Sequence, residues 1–140
     1  MPGGIQDPWV GFAAFTAVKW IGYTGAAAAL RRAYPDARVS LLASGAVRTG
    51  IGLAFGSPFG LLAVVTAEQA HTGAGLPAFY IRLAGVRLLE WWILRWLFYD
   101  RPLREKARGW KCAVGGTVWS YVLDVPALFG LVTTGGLWVC

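Results

Sequence analysis

Residues 77–99 read PAFYIRLAGVRLLEWWILRWLFY. This stretch is long enough to cross the roughly 30 Å hydrocarbon core of a bilayer as a helix of about 20 residues, and it opens on a proline suited to a first helical turn. It nevertheless carries Arg82, Arg87, Glu90 and Arg95. A charge at the bilayer centre costs roughly 3 kcal/mol, so these side chains cannot all face lipid. Arg87 and Glu90 are three apart and share a helical face. At about 100° per residue Arg82 falls on the other flank of Glu90, which predicts one broad charged face turned inward. Arg95 lies near the end of the stretch, where a long side chain reaches the interface by snorkelling.

The rest of the chain repeats the pattern. Its 140 residues are 56% hydrophobic and 14% charged, with a mean hydropathy of +0.52, whereas ordinary soluble domains carry roughly 25% charged residues. Apolar stretches fall at about 9–30, 39–66, 77–99 and 113–138. The expected fold is therefore all-α, an integral membrane protein with four transmembrane helices in one domain spanning 1–140. Gly56-Ser57-Pro58 predicts a kink or a partly re-entrant second stretch. Pro126 predicts a kink in the fourth that frees the Val122 carbonyl.

Arg31, Arg32 and Arg38 lie in the first connector, and Arg101, Arg104, Lys106, Arg108 and Lys111 in the third. Basic residues accumulate in cytoplasmic loops, which predicts both termini outside. The segment MPGGIQDPWVGF has no basic n-region, so the first stretch reads as a retained helix and not a signal peptide. Trp9 at one end and Trp96, Tyr99 and Trp110 at the other suit aromatic belts. Eight of the 13 basic residues lie in these two connectors. Topology and anionic lipid account for the charge of +6 without nucleic acid.

Inside the stretches, Lys19, Arg87 and Asp124 fall near the midplane, and Arg48 and Glu90 share a depth nearer the cytoplasmic side. Phe12, Thr16, Lys19 and Tyr23 form one helical stripe, and Thr117, Ser120, Tyr121 and Asp124 another. Ser44, Arg48, Gly52 and Gly56 recur every four residues, a small-residue stripe for close helix approach that Gly45 and Gly50 widen. Two buried pairs follow, Arg87 with Asp124 and Arg48 with Glu90. They leave Lys19 and Arg82 as surplus cations in a low-dielectric interior. Arginine stays charged, so the surplus favours an anionic ligand gripped through guanidinium groups.

Other patterns carry less. His71 is the only histidine, and Cys112 and Cys140 lie about 40 Å apart along one helix. Neither a metal site, a haem nor an intrachain disulfide is expected. No GxSxG turn or phosphate-binding glycine loop is present. Trp91 and Trp92 read as interfacial or lipid-facing anchors.

The function expected from the sequence is binding, and translocation, of an anionic amphiphile bearing phosphate or carboxylate, held by Lys19, Arg48, Arg82 and Arg87 with Glu90 and Asp124 positioning them. An alternative is a membrane-embedded enzyme using Glu90, Asp124, Tyr121 or Tyr23 as acid or base. A third is an accessory subunit. The expected partners are membrane lipid, an anionic small molecule or lipid headgroup, and further copies or a larger membrane complex. No cofactor is expected.

Overall fold

In the computed structural model, which describes residues 8–69 and 75–134, four helices make up the chain: α1 (Pro8–Ala33), α2 (Leu41–Gln69), α3 (Gly75–Phe98) and α4 (Lys106–Thr134). His71, Cys140 and the end of the fourth predicted stretch lie outside the described residues. Pro8 opens α1 at a position that needs no N–H. Arg31 and Arg32 in its last turn suit the helix dipole, and Pro35 bars the helix from continuing. Ser40 caps α2, its Oγ accepting the Ala43 N–H at 3.4 Å. α2 runs unbroken through Pro58, so the second stretch is a continuous helix and not re-entrant. α4 starts at Lys106 and takes in much of the basic segment expected to be a connector.

Each helix packs against its sequence neighbours and α1 closes on α4, while the diagonal pairs meet through long side chains at the centre. Paired contacts run in opposite directions: Ser44 meets Tyr99 while Arg48 meets Glu90, and Tyr23 meets Ser120 while Ala33 meets Arg108. The result is an up-down-up-down four-helix bundle. Both the 34–40 and 99–105 connectors fall at one end.

The distribution of side chains is partly inverted: an apolar cluster that includes Leu30, Trp91 and Leu94 is buried, but so are the central charges. Arg48, Arg87, Lys19, Glu90 and Asp124 are at most 2% exposed, while Trp9, Ile21, Leu42, Ile81 and Val118 are at least 58% exposed. A buried charge and an exposed apolar surface are the informative departures from ordinary packing. Among the described residues, however, no helix is long and apolar enough to cross a membrane. Four membrane-crossing helices are thus not supported by hydropathy along each helix. The helices have 24 to 29 residues, and the interior charges, with the glycines and hydroxyl residues around them, lower the average.

Candidate functional site

Four inward stripes build the centre of the bundle. On α2, Ser44, Arg48, Gly52 and Gly56 are all buried, as their spacing of four predicts. Gly45 lets α2 approach α1, since a Cβ there would strike Thr24; Gly50 instead faces outward. α1 contributes Phe15, Lys19 and Tyr23, and α4 contributes Thr117, Ser120 and Asp124. On α3 the buried positions are Leu83, Arg87, Glu90, Trp91, Leu94 and Arg95.

Both expected ion pairs form, within a larger network. Arg48 Nη2 donates to Glu90 Oε2 at 2.6 Å, and Arg87 Nη2 meets Asp124 Oδ2 at 3.2 Å. Arg87 Nη1 lies 3.5 Å from Glu90 Oε2, and Lys19 Nζ pairs with Asp124 Oδ1. Among the described residues two carboxylates therefore serve three cations, with Arg87 bridging both. Hydroxyl groups link the halves. Arg87 Nη1 donates to Tyr23 Oη at 3.4 Å, and Tyr23 Oη donates to Ser120 Oγ at 3.3 Å. Arg48 Nη2 at 3.3 Å and the Trp91 indole N–H at 3.1 Å also converge on Ser120 Oγ.

Arg48 is only partly satisfied. Its Nε and Nη1 are buried without a hydrogen-bond partner, although its Cζ lies 4.6 Å from the Tyr23 ring centroid and 5.0 Å from that of Trp91. These rings, packed edge to face at 5.9 Å, offset some of the lost hydration through cation–π attraction. Trp91 is thus not a lipid-facing anchor but part of the buried cluster. Gly116 makes room for it, since a Cβ there would strike the indole.

Two basic residues depart from expectation. Arg82 is exposed and does not join the cluster, because it lies one position before buried Leu83, about 100° off the inner face. Arg95, expected to snorkel, is 2% exposed. Its Nη2 donates to Asp100 Oδ2 at 2.8 Å and its Cζ lies 4.4 Å from the Trp92 ring. Gly109 leaves space for the guanidinium. Asp100 also accepts the Arg104 and Glu105 N–H groups at 3.3 and 3.4 Å, tying the connector to α3. The Arg95 guanidinium holds the Asp100 carboxyl below its ordinary range, aided by these backbone donors.

Of the four acid–base candidates, Glu90, Asp124 and Tyr23 sit in the central network. Tyr121 lies to one side, donating to the Tyr80 carbonyl at 2.7 Å. Beside it a groove of about 500 Å³ opens between α3 and α4, lined by Tyr80, Ile81, Ala84, Tyr121 and Asp124. Compared with protein-family models, curated proteins and solved structures, the chain finds no match.

Proposed function

We propose that this chain is an integral membrane protein that binds the anionic group of an amphiphilic substrate at the centre of its bundle and passes that substrate across the bilayer. The observation carrying this reading is the buried cluster of Lys19, Arg48 and Arg87 around Glu90 and Asp124, in which two Arg48 donors have no hydrogen-bond partner. Buried donors left unsatisfied are costly, and an oxyanion would remove that cost by accepting from the free Arg48 guanidinium donors. The inverted arrangement supports the membrane setting. Charges held inside and mutually paired are the form in which a bilayer tolerates them, and exposed patches of large apolar side chains need a partner. The Trp9 and Trp110 rings, exposed near opposite ends of the bundle, suit the two interfaces. Arg82, exposed outside the cluster, is not assigned to this site.

Native mass spectrometry of detergent-purified protein tests the anion site. Wild type is expected to retain an anion that Arg48→Gln does not, because that substitution removes the unpartnered guanidinium donors. A folded Arg48→Gln protein retaining the same anion equally would remove the assignment. Extraction of membranes with alkaline carbonate tests the setting: the protein stays with the pellet if its helices are embedded and is released if they are not. In proteoliposomes, Arg87→Gln is expected to abolish uptake of the retained anion without preventing insertion.

A further inference from the structure

The groove between α3 and α4 has a volume of about 500 Å³, within the roughly 300–1,000 Å³ of small-molecule sites. Its described walls are Tyr80, Ile81 and Ala84 from α3 and Tyr121 and Asp124 from α4. Ile81 is 74% exposed, so the groove is continuous with the outer apolar surface. The Tyr121 hydroxyl hydrogen is already committed to the Tyr80 carbonyl at 2.7 Å, and the two rings meet edge to face at 5.9 Å. Among the described walls Asp124 alone is charged. Lys19 pairs with its Oδ1 and Arg87 with its Oδ2 at 3.2 Å, and neither cation lines the groove. The carboxylate therefore offers the groove acceptor capacity more than charge. Its two oxygens have about four lone-pair sites, and Oδ2 receives one described hydrogen bond.

We infer that this groove binds a neutral lipid alcohol, its hydroxyl donating to Asp124 and its hydrocarbon chain lying along Ile81, Ala84 and the two tyrosine rings. A hydroxyl donating to a carboxylate makes one of the stronger hydrogen bonds available to an uncharged head group. A carboxylate or phosphate head would meet Asp124 with like charge. An ammonium head would meet a carboxylate whose charge Lys19 and Arg87 already answer. The inference is independent of the anion site at the centre of the bundle: its ligand is neutral, and Arg48, whose donors carry that reading, does not line the groove.

The test uses the full chain in phosphatidylcholine nanodiscs and dodecanol carrying a terminal diazirine, with labelled peptides mapped after irradiation. Label is expected on the α3 and α4 segments that contain Ala84 and Tyr121, well above the level on the α1 segment around Ile21, which is 69% exposed and sets the unspecific background. Dodecanol should compete. Dodecyl methyl ether, with the same chain and no O–H, should compete about tenfold more weakly, the loss expected for a hydrogen bond to a charged group. Dodecyl phosphate and dodecyltrimethylammonium should also fall behind dodecanol. Ala84→Trp, which fills the groove, should abolish the excess label, whereas Gly115→Trp, at an exposed position of α4 with open space, should leave it unchanged. If Ala84→Trp does not fold, Ala84→Val should still give a partial loss. Ether competing as well as dodecanol would overturn Asp124 as the recognising group. Wild-type labelling in folded Ala84→Trp or Ala84→Val, or no excess over the Ile21 segment, would overturn the groove. Retention of an anion by the central cluster is read separately, in Arg48→Gln, and stands or falls apart from these outcomes.

Discussion

The centre of the bundle and the corner around Arg95 are both built on buried arginine, and they differ in how its charge is met. At the corner one arginine faces one carboxylate, Asp100, supplied by the adjoining connector and bonded to backbone N–H groups as well. The charges match one to one, although Arg95 Nε and Nη1, like those of Arg48, are buried without a hydrogen-bond partner. At the centre Arg48, Arg87 and Lys19, each from a different helix, compete for Glu90 and Asp124. The corner pair fixes one connector to one helix, whereas the central network ties all four helices together.

The largest expected effect comes from removing one central carboxylate. Glu90→Gln deprives Arg48 of its partner at 2.6 Å, and breaking a buried pair in this way costs about 3–5 kcal/mol. Asp100→Asn should cost clearly less, because the corner is nearer solvent. Thermal unfolding of both variants under identical conditions compares them, and equal losses would erase the distinction between the two regions. Removing both members tells more. In Arg48→Met/Glu90→Leu the Arg48 charge goes with its partner and Arg87 keeps Asp124, so stability should recover to near wild type. The free Arg48 donors are gone, so the anion should be lost. Undiminished retention would show that Lys19 and Arg87 hold it.

Glycine substitutions sharpen the same contrast at smaller scale. A methyl group at Gly116 would strike the Trp91 indole, while one at Gly109 would strike the end of the Arg95 side chain. Overpacking costs about 1–3 kcal/mol. Gly116→Ala should lie at the upper end, because the indole is held between Ser120 and Tyr23, and Gly109→Ala at the lower end. Gly85→Ala, facing open space, should instead stabilise α3 by up to about 1 kcal/mol through helix propensity. Unfolding midpoints give the order, and a Gly109→Ala loss exceeding that of Gly116→Ala would make the corner the more rigid region.

The centre was more legible in the sequence than the corner, for physical reasons. Ser44, Arg48, Gly52 and Gly56 announce an inner face because their spacing is local, and the Arg48–Glu90 and Arg87–Asp124 pairs follow from matching depths on neighbouring helices. Arg82 was misjudged because a charge in an apolar stretch says that a side chain needs water or a partner, not which it finds. It lies five residues from Arg87, about 140° around the helix. Burial of Arg95 and Trp91 depends on Gly109 and Gly116 across the α3–α4 interface, contacts that no spacing within α3 reveals. The early start of α4 was hidden because a run rich in Lys and Arg reads as a connector, although both are good helix formers.

The smallest expected effect is a pH dependence confined to the corner. Asp100 has its folded-state carboxyl lowered chiefly by Arg95, so folding favours the ionised form. The stability it contributes is present above the ordinary carboxyl range, near pH 4, and is lost as the pH falls through the lower folded-state value. Protonation would weaken both the ion pair at 2.8 Å and the backbone bonds that hold residues 104 and 105, freeing the connector before the bundle opens. Leu103, held at a positive φ of 51° in that connector, would be released with it, since a non-glycine residue adopts this conformation only under constraint. Amide hydrogen exchange at 99–105 should therefore accelerate below about pH 4 after correction for intrinsic rates. In Asp100→Asn it should be already fast at neutral pH and lose that acid response. Acceleration of equal size in the helix centres would show that the bundle opens together with the connector, and would remove Asp100 as the local acid-sensitive group.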